Sequence, residues 1–241
     1  MSFKHLLLLT LLLSPWVSAK SYLAILIDDV GDNRERGMAL LQLPKPVSIA
    51  IIPYRPFSIE LAQAAQTHQR DVLLHMPMSN LSGSYSSEGL LTPQMSKEEF
   101  LAQAKANIEA IPGIVGINNH MGSEMTAVYP KMRWLMQQLY SRGLFFIDSR
   151  TTVATEAEQA AKDSGVASDR RSVFLDNDDD WDHINGQLDK AVTAARTQGF
   201  AIAIGHPRAQ TIAVLQRRLT DWRDDVEVVS LSHFMALKES R

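Results

Sequence analysis

Apolar runs that stop at an acidic residue or a histidine recur five times along the chain. The residues that end them are Asp28 with Asp29, His75, His120, Asp148 and His206. A continuous apolar run without alternation is typical of a strand buried on both faces, as in a parallel sheet. Because ligands of parallel α/β folds bind at the carboxyl ends of the strands, we expect these side chains to converge on one site.

Strand-like and helix-like stretches alternate along the rest of the chain. The predicted strands are 22–27, 47–52, 71–74, 114–118, 144–147, 172–175, 200–204 and 226–229. Asp148, Asp176 and His206 follow one another at intervals of 28 and 30 residues, which is the length that a strand-loop-helix unit consumes. Seven to eight such units predict an α/β fold with a distorted or incomplete (β/α) barrel of parallel strands. A doubly wound open sheet is the alternative.

Helix starts are marked between the predicted strands. Two pairs have the spacing of a capping box, and a proline stands where a first helical turn tolerates it; these are Ser96 with Glu99, Thr155 with Glu158, and Pro130. Further helices are expected after residue 58, over 183–198 and over 208–219.

The first 19 residues differ from the rest of the chain. A short polar start with Lys4 precedes an apolar block over 6–13, and Val17-Ser18-Ala19 supplies the small residues of a cleavage site. This order predicts a secretory signal peptide, since the apolar block is too short to cross a bilayer. We therefore expect a signal peptide over 1–19, a single domain over 20–241, and a periplasmic protein without a stable membrane span after cleavage.

Composition narrows the function classes. The 241 residues are 45% hydrophobic and 21% charged, which suits one large globular domain. A net charge of −3 argues against nucleic acid as a partner. The chain has no cysteine, so thiol nucleophiles, thiolate metal ligands and disulfides are excluded. Oligomeric state is left open.

The strand-end residues are of the types that hold a metal and move protons. Asp28 and Asp29 offer one carboxylate to ligate and one to act as a base, although a polar strand end that begins a turn is the simpler interpretation. His75 and His120 follow separate strands. Two imidazoles and one carboxylate make a zinc-like ligand set with an open position for water. The Ser- and Gly-rich stretch 79–93 predicts a mobile loop beside the site.

Proton transfer is assigned to the last strand end. His206, stiffened by Pro207, has an imidazole suited to protonating a leaving group. Asp148 is expected to orient that imidazole. Arg150 is expected to pair with an aspartate or to bind substrate.

Three further residues are assigned to substrate binding. Ser123 and Asn119 flank His120, and Trp181 offers a flat apolar face to a sugar ring. The preceding acidic run over 176–180 has aspartates at alternate positions. It lacks the glycine and glutamate that a calcium loop requires, so a solvated loop is the favoured interpretation.

The ordered motifs resemble those of the divergent polysaccharide deacetylase (YibQ-like) family. The motifs are Leu26-Ile27-Asp28-Asp29-Val30-Gly31, His75-Met76-Pro77-Met78, Asn118-Asn119-His120-Met121-Gly122-Ser123, Phe146-Ile147-Asp148-Ser149-Arg150-Thr151 and Ile204-Gly205-His206-Pro207. They run in order over about residues 20 to 235. The family is related to the NodB-homology carbohydrate esterases, which have a distorted (β/α) barrel and remove acetyl groups from N-acetylated sugars with a divalent metal.

The resemblance implies a role for each strand end. Asp28 matches the general base, Asp29 a metal ligand, His75 the first metal histidine, and His206 the general acid with Asp148 near it. The better-known enzymes carry a second metal histidine about four residues after the first, and none stands there in this chain. The second imidazole is therefore assigned to His120.

The leading hypothesis is a metal-dependent hydrolase that deacetylates an N-acetylated cell-envelope polysaccharide or peptidoglycan-type glycan, with zinc as the expected metal. One alternative is a periplasmic glycan-binding or regulatory protein that keeps the fold without turnover. Another is hydrolysis of a different amide or ester bond. Glycan binding without acetate release separates the second hypothesis from the first.

Overall fold

The computed structural model describes residues 20–222 and 225–240. The strands are β1 Ser21–Val30, β2 Ser48–Ile51, β3 Val72–Met78, β4 Gly116–Met121, β5 Phe145–Asp148, β6 Ser168–Arg170, β7 Val173–Phe174, β8 Phe200–Gly205 and β9 Val226–Val229. The helices are α1 Arg34–Leu41, α2 Ser58–Thr67, α3 Lys97–Ala110, α4 Tyr129–Tyr140, α5 Ala157–Ser164, α6 Trp181–Gln198, α7 Ala209–Thr220 and α8 Leu231–Glu239.

The strands form one parallel sheet that curls into an incomplete barrel. The order along the sheet is β6-β5-β4-β3-β2-β1-β8-β7, and β9 pairs with the first half of β1. Within the described ranges β6 and β7, at the two ends of the path, do not pair with each other. Only residues 171 and 172 separate them in sequence, so the chain itself crosses the gap. The prediction of an incomplete (β/α) barrel is confirmed.

Two apolar layers lie on the two faces of the sheet. The larger one packs the helices against the outside, and the smaller one fills the interior beneath the carboxyl ends of the strands. Alternation along each strand puts Leu26 below Asp28, Leu73 below His75 and Ile204 below His206, and all three apolar side chains are fully buried. Helix α8 supplies Leu231, Phe234 and Met235 to the same inner cluster. The polar strand ends therefore stand on a packed floor.

The eight predicted strands are all present, and β6 is an additional one. The capping box of Ser96 and Glu99 and the proline in the first turn of α4 are confirmed. The box predicted for Thr155 and Glu158 is wrong: α5 begins after Glu156, and the Thr155 hydroxyl donates to Asp148 instead. Helices α1 and α8 were not predicted.

The predicted signal peptide over 1–19 lies outside the described residues. None of the helices within residues 20–222 and 225–240 is both long and apolar enough to cross a membrane.

Candidate metal centre and active site

A bulge in β1 turns two adjacent carboxylates toward the same cleft. The pairing of β1 with β2 shifts between Ile27 and Val30, so that β1 carries one extra residue there. Asp29 adopts a left-handed backbone with φ of 56°. In a regular strand Asp28 and Asp29 would point to opposite faces, and the bulge removes that alternation.

Asp29, His75 and His120 come together as a candidate metal-ligand set. Asp29 Oδ1 lies 3.1 Å from His75 Nε2 and 2.8 Å from His120 Nδ1. One ligand atom of each residue lies within 4.8 Å of those of the other two. The structure thus brings together the three residues that the sequence assigned to a metal.

The donor atoms fit a divalent cation. Asp29 Oδ1 is buried and, despite the two nearby imidazole nitrogens, accepts no hydrogen bond of acceptable geometry. Burial raises the pKa of Asp29, but His120 and His75 outweigh burial and hold it below its usual range. Burial lowers the pKa of His120 and so favours the neutral imidazole that ligates metals. Two nitrogens and one anionic oxygen are ligands that zinc accepts.

Asn118 holds His75 and Asp28 in place from behind. Its Nδ2 donates to Asp28 Oδ1 at 2.8 Å and to Ser149 Oγ at 3.1 Å, so the carbonyl Oδ1 is the atom that faces His75 Nδ1 at 2.9 Å. An amide oxygen only accepts, and His75 Nδ1 must therefore carry the proton. In the neutral ring Nε2 is then unprotonated and faces Asp29. Burial lowers the pKa of His75, but Asp28 and Asp29 outweigh burial and raise it, so a proton at Nε2 is favoured until a cation takes its place.

Asp28 is almost completely buried beside this set. Its Oδ2 lies 3.7 Å from His75 Nε2. Burial, only partly offset by His75, raises the pKa of Asp28 to about 6. A carboxyl group with a pKa near neutrality can both accept and return a proton.

His206 approaches Asp29 from the other side of β1. Its Nε2 lies 3.6 Å from Asp29 Oδ2, and its Nδ1 donates to Asp176 Oδ1 at 2.8 Å. Asp176 is fully buried and also accepts from the His206 backbone N–H and the Thr211 hydroxyl. Burial lowers the pKa of His206, but the bond to Asp176 and the charge of Asp29 outweigh it and raise the pKa.

The carboxylate that orients His206 is Asp176, and the assignment of that role to Asp148 is wrong. Asp148 Oδ1 accepts from the Arg150 backbone N–H at 2.7 Å, and Oδ2 accepts from Thr155. The order of strands explains the difference, since β7, which ends two residues before Asp176, adjoins β8 whereas β5 lies on the far side of β1. Asp148 builds a turn and contacts neither His206 nor the metal ligands.

The carboxyl ends of the strands enclose a cleft of about 410 Å³. Its lining includes Asp28, Asp29, His75, Asn119, His120, Arg150, Arg171, Phe174 and His206. Asn119 lines the cleft, yet its polar atoms are used on the Ser149 N–H and the Met121 carbonyl, so its role in the structure is to hold the strand ends.

Two residues assigned to substrate binding lie outside the lining of the cleft. Ser123 Oγ accepts from the Leu81 backbone N–H at 3.1 Å and so fixes the loop that follows β3. Trp181 begins α6 and is 38% exposed. The loop reaches the site through Tyr85, whose ring meets the His120 ring edge-on at 4.7 Å between centroids.

Sequence reasoning missed three residues that shape the site. In the sequence Asn118 stands inside a motif and Asp176 follows a strand, but neither position indicates a partner, and no pattern marks Arg171. Arg171 donates to the Ser149 and Arg150 carbonyls and lies 5.1 Å from the centre of the Phe174 ring. The ring of Phe174 meets that of His206 edge-on.

A family model described as divergent polysaccharide deacetylase matches residues 25–235. The chain belongs to the divergent polysaccharide deacetylase family. A relative from Haemophilus influenzae is 38% identical over 224 residues, covering 93% of this chain and 80% of that protein. The YibQ protein of Escherichia coli is 37% identical over 222 residues, covering 92% of this chain and 69% of its own length.

Solved structures show the same fold. A crystal structure of a protein from Agrobacterium tumefaciens C58 has a TM-score of 0.84 at 20% identity, with 91% of each chain covered. A family 4 carbohydrate esterase from Streptomyces lividans, solved in complex with acetate, has a TM-score of 0.50 at 14% identity over 83% of this chain and 86% of that one. A pseudoenzyme of the same esterase family has a TM-score of 0.55 at 12% identity over 90% of this chain and 68% of its own. The fold is NodB-like, and catalysis has to be argued from the site.

Proposed function

We propose that this protein is a metal-dependent hydrolase that removes acetyl groups from an N-acetylated polysaccharide of the cell envelope. The observation that carries the proposal is the placement of three candidate ligands, Asp29, His75 and His120, within 4.8 Å of one another. A buried carboxyl, Asp28, and a carboxylate-backed imidazole, His206, flank them in the same cleft.

Asp29, His75 and His120 would hold the metal, and zinc is the ion that their donor set favours. A divalent cation there supplies Lewis acidity to the acyl carbonyl and to the attacking water. Asn118 keeps His75 in the tautomer with its lone pair on Nε2, so the site is ready to bind the ion without rearrangement of that ring.

Asp28 and His206 would divide proton transfer between them. Asp28 is held by the Asn118 amide on Oδ1, which leaves Oδ2 to take a proton from water. His206 directs Nε2 toward Asp29 and into the same cleft, where it would reach the leaving group of a bound amide. Protonation of the departing amine by His206 completes amide cleavage, and Asp176 stabilises the imidazolium form.

Family membership supports a glycan as the substrate. We also propose that the protein acts in the periplasm, which the signal-like composition of residues 1–19 supports. An exported protein and an envelope polysaccharide would meet in that compartment.

The test begins with metal analysis of the purified protein and continues with acetate release from peptidoglycan and chitin fragments after addition of zinc, manganese or cobalt. We expect about one bound ion per chain and metal-dependent acetate release. Saturable glycan binding without acetate release would instead support the non-catalytic alternative. Release of a different acyl group would place the chemistry on another amide or ester bond.

A further inference from the structure

A second hollow opens beside the cleft and shares part of its wall. It measures about 600 Å³, and Arg150, Thr151 and Arg171 line both spaces. Arg170 lines the hollow as well, and no aspartate or glutamate is among the residues that line it. A ligand that extends from the cleft into the hollow therefore passes over guanidinium groups.

Arg150 is held in an unusual backbone conformation at the boundary. Its φ is 52°, in the left-handed region that a side chain of this size seldom adopts. Two contacts fix that turn: the Arg150 N–H donates to Asp148, and the Arg150 carbonyl accepts from Arg171 at 3.0 Å. Such a strained backbone conformation costs free energy and persists only where the surrounding contacts impose it, and it often marks a functional position.

The guanidinium of Arg150 is free to bind a ligand. Within residues 20–222 and 225–240 it makes no ion pair or hydrogen bond, and the nearby charge of Asp148 is already used by the backbone of the turn and by Thr155. The side chain is half-buried. Arginine presents several donors in a planar fork that matches carboxylate and phosphate oxygens.

Arg171 and Arg170 add two positive charges that are held in different ways. Arg171 spends Nε and Nη2 on backbone carbonyls, which fixes its guanidinium against the wall. Arg170 is exposed and pairs with Glu158 at 3.2 Å, so its guanidinium already has a partner. The hollow thus has one free guanidinium, that of Arg150, and one fixed guanidinium behind it.

We propose that the hollow binds an anionic group of the substrate, next to the acyl group that the cleft receives. The group is a carboxylate or a phosphate on the same or the adjoining sugar, and Arg150 is the residue that binds it. The inference rests on the proposed function only in treating the cleft as the place where the acyl group lies. It names the substrate class as an acidic glycan and separates it from neutral chitin.

Binding of matched ligands to the metal-free protein tests the inference without turnover. One pair is an oligosaccharide of N-acetylmuramic acid and the same compound with its carboxylate converted to an amide; the other is N-acetylglucosamine 6-phosphate and N-acetylglucosamine. We expect the acidic member of at least one pair to bind about tenfold or more tightly than its neutral partner. The pair that shows the preference identifies the anion.

Arg150→Gln should reduce the ratio of acidic to neutral affinity to about one. Arg142→Gln, in the exposed turn after α4, is the matched control and should behave like the unmodified protein. Should Arg150→Gln fail to fold, the preference of the unmodified protein must still decline as salt is raised from about 20 to 500 mM. Equal affinity for the acidic and neutral members, or a preference that survives Arg150→Gln, would overturn the inference.

Metal-loaded protein then separates this inference from the proposed function. If the protein binds acidic glycans in preference to neutral ones but releases acetate from neither, the anion site is supported and deacetylation is contradicted. If the protein releases acetate with equal kcat/KM from acidic and neutral glycans, deacetylation is supported and the anion site is contradicted.

Discussion

The two histidines on either side of β1 are held by different partners, a neutral amide for His75 and a buried carboxylate for His206, and this difference suits them to different roles. On one side, His75 Nδ1 donates to the neutral amide of Asn118, while the carboxylates that attract its proton face Nε2. On the other side, His206 Nδ1 donates to the buried carboxylate of Asp176 behind the ring. Both imidazoles have raised pKa values, but the carboxylates near His75 face only Nε2, whereas His206 has Asp29 near Nε2 and Asp176 bonded to Nδ1.

The position of that charge decides what each ring can do. At His75 the carboxylates of Asp28 and Asp29 face Nε2, so a metal bound to that nitrogen would replace its proton and would be balanced by the same two charges. At His206 the carboxylate behind the ring stabilises the imidazolium while Nε2–H stays directed into the cleft. In the proposed mechanism the β3–β4 side would bind the metal and the β7–β8 side would donate the proton.

The strongest test of this division is removal of the imidazoles on the β3–β4 side. His75→Ala and His120→Ala should each abolish tight binding of a divalent ion, because the remaining ligands cannot hold it, and should reduce acetate release to background. Metal analysis and isothermal titration measure the effect. His183→Ala, on α6 and bonded to Asn177 and Gln187, is the control and should retain the ion. Retention of the ion by both cleft variants would remove the metal centre from the mechanism.

The opposite result is expected on the β7–β8 side. Asp176→Asn should keep the bound ion and lower kcat by about 10²-fold or more, because the imidazolium of His206 loses the charge that stabilises it. The pKa of His206, followed by NMR, should decrease in this variant. A variant with normal kcat, or one that loses the metal, would break the distinction between the two histidines.

An intermediate effect is expected for the amide that holds His75. Asn118→Ala should weaken metal affinity by about 10- to 100-fold, which is the usual effect of removing a group that orients a ligand. Asn177→Ala, at an exposed asparagine near α6, serves as the control. Unchanged metal affinity in Asn118→Ala would mean that packing alone orients the imidazole.

Sequence patterns predicted the strands better than they predicted the pairs between them. Apolar runs as long as Phe200–Gly205 reveal buried strands directly, whereas β6, with the sequence Ser-Asp-Arg, has no apolar residue to reveal it. Helix α1 was missed because Gly37 interrupts its pattern. That glycine lies where a Cβ atom would be 2.5 Å from the Leu61 side chain, so close packing of α1 on α2 requires it.

The candidate metal ligands could be predicted from sequence, but the carboxylate that orients His206 could not, because it depends on how the strands pair. Asp29, His75 and His120 each end an apolar run, and any parallel sheet brings such strand ends to the same edge. The partner of His206 depends on which strand adjoins β8. Phe174 pairs with Ile204, which places Asp176 opposite His206 two residues later, and nothing in the sequence around Asp148 excludes it from that position.

The smallest expected effect concerns the two buried aspartates that the sequence made hard to distinguish. Burial raises the pKa of Asp148 above its usual value, whereas at Asp176 the bonds to His206 and Thr211 outweigh burial and lower the pKa. Asp176 therefore stabilises the fold above its unfolded pKa, and this contribution is lost as pH falls through the folded pKa. The contribution of Asp148 to stability depends on pH in the opposite direction: it is present below the unfolded pKa and is lost as pH rises through the folded pKa. Urea unfolding at about pH 3, 5 and 7 should therefore show the stability of Asp148→Asn relative to the parent improving with pH, while that of Asp176→Asn declines. Because Asp148 hydrogen-bonds to a turn and not to His206, Asp148→Asn should leave kcat within a few-fold of the parent. Parallel pH profiles for the two variants would mean that the two carboxylates occupy equivalent environments and would contradict the different hydrogen-bond partners of Asp148 and Asp176.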